Sequence, residues 1–395
     1  MNRKVIVAGV GMLPFSKPGQ SDTYDVMGAN AIREALADAG ISYDLVEQAY
    51  ASYVYGDSTS GQKAIYAVGM TGIPVVNVNN NCSSGSTALY LARQAVEGGI
   101  VECALAVGFE QMQRGALVES WTDRPSPIGA AMKSVELGIG KQPEGTPMTA
   151  YQFGAGALEH MKLFGTKAET FAKIRVKASQ HAARNPKAVF RNEVSLEEVM
   201  ESPMIFAPLT RLQCCPPTCG GAAAIVCSEA FASKHGINTG VQIVAQAMTT
   251  DGEGTFDGSD MRNTIGFDMS RRAAQQVYEA SGVGPEDISV CELHDCFTAN
   301  ELLTYEALGF AEEGQAEKFI NDGENTYGGK VVTNPSGGLL SKGHPLGATG
   351  LAQCYELTMQ LRGNADQRQV DGLTHALQHN IGLGGAAVVT LYARN

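Results

Sequence analysis

Residues 75–86 read Val75-Val76-Asn77-Val78-Asn79-Asn80-Asn81-Cys82-Ser83-Ser84-Gly85-Ser86. A β-branched run stops at Val78 and a helical pattern begins at Gly85, so Cys82 lies at a predicted strand-to-helix junction. The free N–H groups and the positive dipole end of a helix would favour the thiolate, which is the reactive form of cysteine. A cysteine here could equally be buried and pack as a small apolar group. Position alone leaves both interpretations open, although the small residues after Cys82 would leave room for a bulky group at the sulfur.

Strand-like runs alternate with helical patterns along the chain, which favours an α/β fold with largely parallel sheets. In the first 240 residues the predicted strands are Lys4–Gly9, Gln48–Tyr53, Val75–Val78, Glu102–Val107 and Gly221–Cys227, and the predicted helices are Tyr24–Ala39, Gly85–Gly98 and Ala168–Ala183. After residue 240 the predicted strands are Gln242–Ala247, Ile288–Leu293, Thr374–Gln378 and Gly385–Tyr392, and the predicted helices are Met269–Ser281, Ala299–Leu308 and Ala348–Arg362.

The two halves repeat one scheme. Ser341-Lys342-Gly343-His344-Pro345 opens a helix in the second half as Cys82 does in the first, and the fixed φ of proline suits a first helical turn. Two such halves would share one active site. We therefore predict an N-terminal half of residues 1–112 plus 216–240 and a C-terminal half of residues 241–395. Residues 113–215, rich in proline, glycine and methionine, are predicted to be an irregular insertion that forms a lid or a small subdomain.

Composition excludes several classes of protein. The 395 residues suffice for two to three domain-sized units, and a net charge of −12 argues against a nucleic-acid surface or a polybasic membrane patch. No stretch approaches the ~18 consecutive apolar residues of a membrane span. The nine cysteines have no framework spacing, which favours a reducing compartment, and the cytoplasm is the expected location. Cys214, Cys215 and Cys219 lack a nearby histidine or second cysteine pair, so we predict no metal site.

Four short segments hold most of the unusual residues. They are Cys82 with its flanking residues, His294-Asp295-Cys296-Phe297, Gly343-His344-Pro345-Leu346-Gly347, and His379-Asn380-Ile381-Gly382-Leu383-Gly384-Gly385 between the last two predicted strands. Alone, each histidine could be a satisfied structural residue and each glycine run a turn. Together they supply a nucleophile, bases and backbone donors for an oxyanion. Two thiols without metal or disulfide fit Claisen-type carbon–carbon chemistry on thioesters.

These segments resemble the thiolase superfamily, and within it the sterol-carrier-protein-2 type of 3-ketoacyl-CoA thiolase. Asn79–Ser86 resembles the family's nucleophile loop, and His294–Phe297 stands where ordinary thiolases have Asn-Glu-Ala-Phe. Asn334-Pro335-Ser336-Gly337-Gly338 followed by residues 343–350 resembles the histidine loop. The similarity spans essentially the whole chain. It implies the thiolase fold, with two similar α/β halves in a five-layer αβαβα sandwich and an inserted loop domain.

One departure is informative. Ordinary thiolases carry a catalytic Cys-x-Gly in the last loop, whereas Asn380-Ile381-Gly382 occupies that place here. The sterol-carrier type is understood to take its second cysteine from the His-Asp-Cys-Phe loop, which points to Cys296. The chain ends at Asn395, where some relatives continue into a sterol-carrier domain, so the resemblance implies that any lipid-carrier or small partner protein is a separate chain.

The resemblance implies a role for each residue of the site. Cys82 would attack the 3-keto carbonyl and hold the acyl group, while His344 would take its proton and help polarise a thioester carbonyl. Cys296 would exchange the proton at the α-carbon, and His294 would orient a carbonyl oxygen. The backbone N–H groups of Cys82 and Gly382 would form an oxyanion hole together with His344.

Further residues are assigned around these. Asn380 and His379 would shape the last loop, and the remaining histidines that we assign to structure or surface are His181, His235 and His375. The co-substrate implied is free coenzyme A, with no permanently bound cofactor. The candidate cations for its phosphates are Lys133, Lys141, Arg175, Lys177 and Arg184. The family assembles as dimers or dimers of dimers, and the Asn79–Asn81 region would lie near that interface.

Three other interpretations remain open. A ketosynthase-like condensing enzyme would use Cys82, His294, His344 and Asn380 but leaves Cys296 without a task. A thiolase-like sterol side-chain aldolase needs no acyl-cysteine, so the presence of both thiols weighs against it. A non-catalytic acyl-CoA or lipid-binding scaffold would not need Cys82, Cys296 and His344 together.

Overall fold

The computed structural model describes residues 3–395 apart from residues 116, 118 and 120. Residues 1 and 2, in the predicted N-terminal half, and those three positions of the predicted insertion lie outside the described residues. The first half contains β1 (Val5–Met12), α1 (Tyr24–Ala39), β2 (Gln48–Ser52), α2 (Ser60–Tyr66), β3 (Val75–Val78), α3 (Ser84–Glu97) and β4 (Cys103–Glu110). The segment that follows contains α4 (Gly129–Ile139), α5 (Met148–Phe164), α6 (Ala168–Ala183), α7 (Leu196–Glu201), β5 (Met204–Phe206) and β6 (Leu209–Thr210), before β7 (Gly220–Ser228) and α8 (Glu229–His235).

The second half repeats the order of the first. It contains β8 (Val241–Thr249), α9 (Phe267–Ser281), β9 (Val290–Glu292), α10 (Thr298–Ala307), α11 (Ala316–Asn321), β10 (Val332–Thr333), α12 (Thr349–Arg362), β11 (His375–Gly382) and β12 (Ala386–Arg394). A single π-helical turn, Gly338–Lys342, precedes the histidine loop.

The main sheet shows the repeat directly. Its ten strands lie in the order β10-β9-β11-β12-β8-β1-β7-β4-β2-β3. From the centre outward, the first half has the order β1, β7, β4, β2, β3, and the second half has the order β8, β12, β11, β9, β10. In both halves the first strand along the chain is innermost and the last strand lies next to it. The halves join where β1 pairs with β8 through Val5–Ile243 and Ile6–Gln242. The predicted recurrence of one scheme is therefore confirmed.

Two helices lie between the half-sheets. α12 contacts β7 and β1 of the first half as well as β11 and β9 of the second, and it packs against α3. One buried cluster accordingly joins residues of both half-sheets with both helices, including Leu89 and Leu351. α1 and α2 cover the other face of the first half-sheet, and α9 covers that of the second. This gives the five-layer αβαβα arrangement, as expected.

The strands form because their residues are apolar on both faces. β1, β4 and β7 are buried along their whole length, as is typical of strands covered by helices on both sides. Within each half, the three outer strands run parallel to one another, whereas the two strands next to the other half pair antiparallel. The sheet is therefore mixed rather than largely parallel as predicted.

Residues 113–215 are not irregular as predicted, while their role as an inserted lid or small subdomain stays a prediction. α4 to α7 lie there, and α6 contacts the π-helical turn, α10 and α11 of the second half. In α5, glycines that look like helix breakers are positions of close packing. A Cβ on Gly154 would lie 2.3 Å from the Phe206 ring, and one on Gly156 would lie 2.4 Å from Ile265.

A second difference concerns the end of the chain. β11 continues to Gly382, so His379 and Asn380 lie in a strand rather than in the predicted loop. Among the described residues, no helix is long and apolar enough to cross a membrane.

Candidate active site

Cys82 lies in a tight turn between β3 and α3. Asn81 has a left-handed φ of 51°, which asparagine tolerates better than most residues. The Ser84 hydroxyl donates to the Asn81 carbonyl at 2.6 Å and accepts from the Asn80 N–H at 2.9 Å, and the Ser83 hydroxyl donates to the Asn80 carbonyl. The polar run before and after Cys82 is thus used to build the turn that presents the thiol.

The thiol of Cys82 is protonated at rest. Its side chain is buried, and this burial, with a smaller contribution from the Glu110 carboxylate, raises its pKa to about 12. The hydrogen bond from its own backbone N–H lowers the pKa by less. The expectation that the helix end would favour a resting thiolate is therefore wrong: α3 begins at Ser84, one residue closer to Cys82 than predicted, but desolvation outweighs its effect.

His344 is held in one tautomer by its neighbours. The hydroxyl of Thr349 donates to the Pro345 carbonyl at 3.0 Å, so its oxygen accepts from Nδ1–H of His344 at 2.7 Å. The other ring nitrogen, Nε2, therefore carries a lone pair. It is buried and has no hydrogen-bond partner among the residues that the structure describes. Burial and the nearby Lys342 lower the pKa of His344 to about 3, which keeps the ring neutral.

The loop that carries His344 is anchored in the first half. The Gly347 N–H donates to Glu110 at 2.9 Å, and the Gly347 carbonyl accepts from the Ser52 hydroxyl at 2.8 Å. Glu110 also accepts from the N–H groups of Val54 and Tyr55. Burial raises the pKa of Glu110 to about 7. The two halves are joined at this point, beside Cys82.

His294 faces His344 at a right angle. The two ring centroids are 5.0 Å apart with an interplanar angle of 86°. Nδ1 of His294 is 2.7 Å from the side-chain nitrogen of Asn380, in β11. Burial, with His344 and His379 nearby, lowers the pKa of His294 well below its usual range, so this ring is also neutral. His379 itself binds the Ser270 hydroxyl through Nε2 at 2.8 Å.

Cys296 is the second thiol of the site. It is buried, and desolvation raises its pKa well above the usual range, with Cys215 and Cys82 adding to the effect. The preceding residue, Asp295, accepts hydrogen bonds from the N–H groups of Leu339 and Leu340 in the π-helical turn. This ties the loop that carries Cys296 to the segment that leads into His344.

Cys82, Cys296, His294 and His344 all line one cavity, together with Cys215. Cys215 was not predicted here. Cys215 reaches the cavity because Cys214 forms a β-bridge with Phe297 and the Cys215 N–H donates to the Cys296 carbonyl at 2.8 Å. These contacts join residues distant in sequence, so no local pattern could have predicted that Cys215 lines the cavity.

The rest of the cavity wall is largely apolar. Phe153 of α5 stacks on Phe297 with ring centroids 4.6 Å apart, and Leu346 and Ile381 contribute further apolar surface. An apolar wall beside two thiols suits a ligand with a hydrocarbon part.

Gly382 lies against the nucleophile loop. A Cβ at Gly382 would lie 2.0 Å from the Asn80 carbonyl oxygen, so only glycine allows this approach. Its backbone therefore lies beside the turn that carries Cys82, between Asn80 and Ser83, and the predicted oxyanion role itself stays a prediction.

The cluster has some features of a metal site. Cys82 Sγ and one ring nitrogen each of His294 and His344 lie within 4.8 Å of one another. Zinc needs lone pairs from its histidine ligands. Because Asn380 donates to Nδ1 of His294, the remaining nitrogen of that ring carries a hydrogen, and this geometry does not suit a metal ligand.

For two of the five residues predicted as candidate cations for the coenzyme A phosphates, the prediction was wrong. Arg175 and Lys177 are buried: Arg175 donates to the Leu340 carbonyl and to Ser341, and Lys177 pairs with Glu301. Lys133, Lys141 and Arg184 are exposed, and Arg184 lies over the Tyr327 ring. His181 is buried with both ring nitrogens hydrogen-bonded, as a structural histidine should be.

Comparison with known proteins agrees with this architecture. Family models described as the thiolase N-terminal domain and the thiolase C-terminal domain-like region match residues 5–230 and 253–394. The chain belongs to the thiolase family. Within it, the chain is 54% identical to sterol carrier protein 2 of Rattus norvegicus, over 98% of this chain and 72% of that protein.

Two further proteins are informative. The benzoylsuccinyl-CoA thiolase subunit BbsB of Thauera aromatica is 36% identical over 100% of this chain and 98% of its own length. A solved structure, the Ltp2-ChsH2(DUF35) aldolase, has a TM-score of 0.83 and 25% identity, with 99% of this chain and 98% of that chain covered.

Proposed function

We propose that this chain is a 3-ketoacyl-CoA thiolase of the sterol-carrier-protein-2 type, an acetyl-CoA C-acyltransferase. The observation that carries the proposal is the cavity itself: Cys82 Sγ lies within 4.8 Å of a ring nitrogen of His344, Nε2 of that ring has no hydrogen-bond partner among the described residues, and a second thiol, Cys296, lines the same cavity. A nucleophile, a base and a separate proton carrier are what a two-step acyl transfer requires.

In thiolysis, His344 takes the Cys82 proton as the sulfur attacks the 3-keto carbon. The C2–C3 bond then breaks, its electron pair passes to C2 as the acetyl-CoA enolate, and Cys296 protonates that carbon. The thiol of free coenzyme A next gives its proton to the Cys296 thiolate and attacks the Cys82 thioester. The shortened acyl-CoA is released, and the departing Cys82 thiolate takes back the proton held by His344. Synthesis runs the same steps in reverse, with Cys296 removing the α-proton. Because both thiols have raised pKa values, Cys82 needs His344 to take its proton, and in synthesis Cys296 becomes a thiolate by giving its proton to the departing coenzyme A.

The substrates follow from the cavity and the family. The apolar wall at Phe153 and Phe297 suits an acyl chain, and the chain's relatives include a benzoylsuccinyl-CoA thiolase subunit. Coenzyme A enters as co-substrate and no permanently bound cofactor is needed.

Mass spectrometry after incubation with acetyl-CoA tests the proposal. We expect a mass increase of one acetyl group on Cys82 that added coenzyme A removes. Cys82→Ala should abolish the adduct, whereas Cys354→Ala, another buried thiol outside the cavity, should retain it. Absence of any Cys82 adduct with acetyl-CoA and with several 3-ketoacyl-CoAs would refute the thiolase route. Cleavage of a β-hydroxyacyl-CoA without an adduct would instead favour an aldolase.

We also propose a homodimer formed through β3. This strand is at one edge of the ten-stranded sheet, and Val76 on it is 40% exposed. An open apolar edge favours pairing with a second copy. Light scattering after size-exclusion chromatography would test this, with Val76→Lys as the disruptive variant.

We also propose that the protein is located in the cytoplasm. All nine cysteines are free thiols, which fits a reducing compartment, and cell fractionation would test the location.

A further inference from the structure

A chain of hydrogen bonds leads from the interior of the second half to His294. Its first anchor is Gln378 in β11, which is fully buried. The side-chain nitrogen of Gln378 donates to the Gly350 carbonyl at 2.8 Å, and its oxygen accepts from the Tyr392 hydroxyl at 2.5 Å. Because a backbone carbonyl can only accept, the amide of Gln378 has one permitted orientation.

That orientation fixes the next two groups. The Gln378 nitrogen also donates to the Ser86 hydroxyl oxygen at 2.8 Å, so the Ser86 hydrogen is directed to the Asn380 side-chain oxygen, 2.8 Å away. The Asn380 amide must then present its nitrogen to Nδ1 of His294, at 2.7 Å. Nδ1 of His294 accepts, and the ring proton is therefore on Nε2.

The two histidines of the site are thus held in opposite tautomers. Thr349 leaves a lone pair on Nε2 of His344, whereas Asn380 leaves a hydrogen on Nε2 of His294. Both rings line the cavity beside Cys82. One ring can accept the Cys82 proton, and the other can only donate a hydrogen bond to an oxygen that gains negative charge.

We propose that Gln378, Ser86 and Asn380 are positioning residues that lock His294 as a hydrogen-bond donor and prevent it from acting as a base. Each of the three is buried, and Ser86 comes from the first half while the other two come from the second. The relay therefore forms only when α3 and β11 are in contact. Gly350 is part of it, since a Cβ there would lie 2.2 Å from the Ser86 hydroxyl and 2.9 Å from the Asn380 oxygen. The catalytic consequence rests on the proposed thiolase function, but the tautomer does not.

Asn380→Asp reverses the last bond of the relay. A carboxylate can only accept, so Nδ1 of His294 would take the proton and Nε2 would lose it. The added negative charge would also raise the pKa of His294. The titratable groups that share the cavity with this ring or act on its pKa, and that must be considered in any pH profile, are Cys82, Cys215, Cys296, His344 and His379.

The test is ¹⁵N NMR of the full-length protein with ring-labelled histidine, in which protonated and bare ring nitrogens have well-separated shifts. His294→Asn identifies the His294 signals. We expect wild-type His294 to be protonated at Nε2 and His344 at Nδ1, and Asn380→Asp to move the His294 proton to Nδ1. Thiolysis by Asn380→Asp should fall in kcat by about 100-fold, the effect of losing one oxyanion donor, with less change in KM. Its pH profile should gain an ionisation from His294.

Ser86→Ala provides a milder break and Ser179→Ala a matched control. Ser179, like Ser86, is a buried serine whose hydroxyl accepts a hydrogen bond, in this case from a backbone N–H, but it lies in α6 away from the cavity. The Ser179→Ala variant should therefore have the histidine tautomers and the thiolysis rate of the wild type. Ser86→Ala should lose less activity than Asn380→Asp and show a mixture of His294 tautomers. A bare Nε2 on wild-type His294, or an unchanged tautomer in Asn380→Asp, would overturn the relay. If Asn380→Asp does not fold, the wild-type and Ser86→Ala spectra decide the question. A wild-type protein with the expected tautomers but no thiolysis would count against the proposed function and leave the relay standing.

Discussion

The protonation state of Cys82 at rest gives the sharpest prediction. With a pKa of about 12, only about one molecule in 10⁴ carries the Cys82 thiolate at pH 8, compared with roughly a quarter for a free cysteine of pKa about 8.5. A thiolate of higher pKa is a better nucleophile, with a Brønsted coefficient of about 0.4–0.5, which recovers part of the difference. The net expectation is that Cys82 reacts with iodoacetamide about 100-fold more slowly than a free thiol.

The assay is a time course of alkylation at pH 6–10, with Cys82 distinguished from the other cysteines by peptide mass spectrometry. The logarithm of the Cys82 rate should rise by one for each pH unit up to pH 10, whereas a small thiol in the same buffers should level off near pH 8.5. His344→Ala should leave this rate nearly unchanged, since His344 is neutral in any case, but should lower thiolysis by 10²–10⁴-fold by removing the base.

A rate that is already level at pH 7 would refute this reasoning. It would mean that Cys82 rests as a thiolate, so that the helix end and His344 outweigh desolvation.

Three further predictions concern single residues. Cys296→Ala should still form the acetyl adduct on Cys82 but lose carbon–carbon bond cleavage by 10²–10⁴-fold, and equal loss of both activities would contradict a role confined to the α-proton. Lys177→Met should destabilise the protein by about 3–5 kcal/mol in chemical denaturation because it leaves the buried Glu301 carboxylate unpaired, and adding Glu301→Gln should recover part of this; full stability of the single variant would contradict the pairing. For Glu110, burial raises the pKa from 4.5 to about 7, so the folded state keeps its proton while the unfolded state loses it, and stability should fall by about 3 kcal/mol as pH rises through this window. Glu110→Gln should lack this pH-dependent part of the free energy of unfolding. If the difference in unfolding free energy between the two proteins does not vary with pH in this window, Glu110 does not titrate there.

Local patterns predicted most of the repeated core. Tyr24–Ala39 is a helix with the predicted bounds, and Val75–Val78 is a strand with the predicted bounds, because each is a strong local pattern with clear ends. The helices α4 and α5 were missed because their glycines look like helix breakers in the sequence. In the structure, these glycines allow close packing against residues that are distant in sequence. The extension of β11 through His379 and Asn380 was missed because the glycines at 382–385 look like the centre of a longer turn.

For the site, the sequence predicted which residues come together but not their protonation states. Cys82, His294, Cys296 and His344 were found from the order of segments and from the resemblance, and the structure brings all four to one cavity. Their protonation states could not be found in this way. The pKa of Cys82 depends on burial by other segments, and the tautomers depend on hydrogen bonds from residues such as Thr349 and Asn380 whose orientation is set elsewhere.

The small residues after Cys82 have a different purpose from the one that the sequence suggested. A Cβ on Gly85 would lie 2.8 Å from the Gly347 carbonyl oxygen, and one on Gly350 would lie 2.2 Å from the Ser86 backbone nitrogen. These glycines therefore admit the other half of the chain rather than a substrate. The contact of α3 with α12 brings Cys82 to His344 and, through Ser86, aligns the relay to His294. The residues proposed as nucleophile, base and oxyanion donor are thus all positioned by one interface between the repeated halves, and neither half could form this site alone.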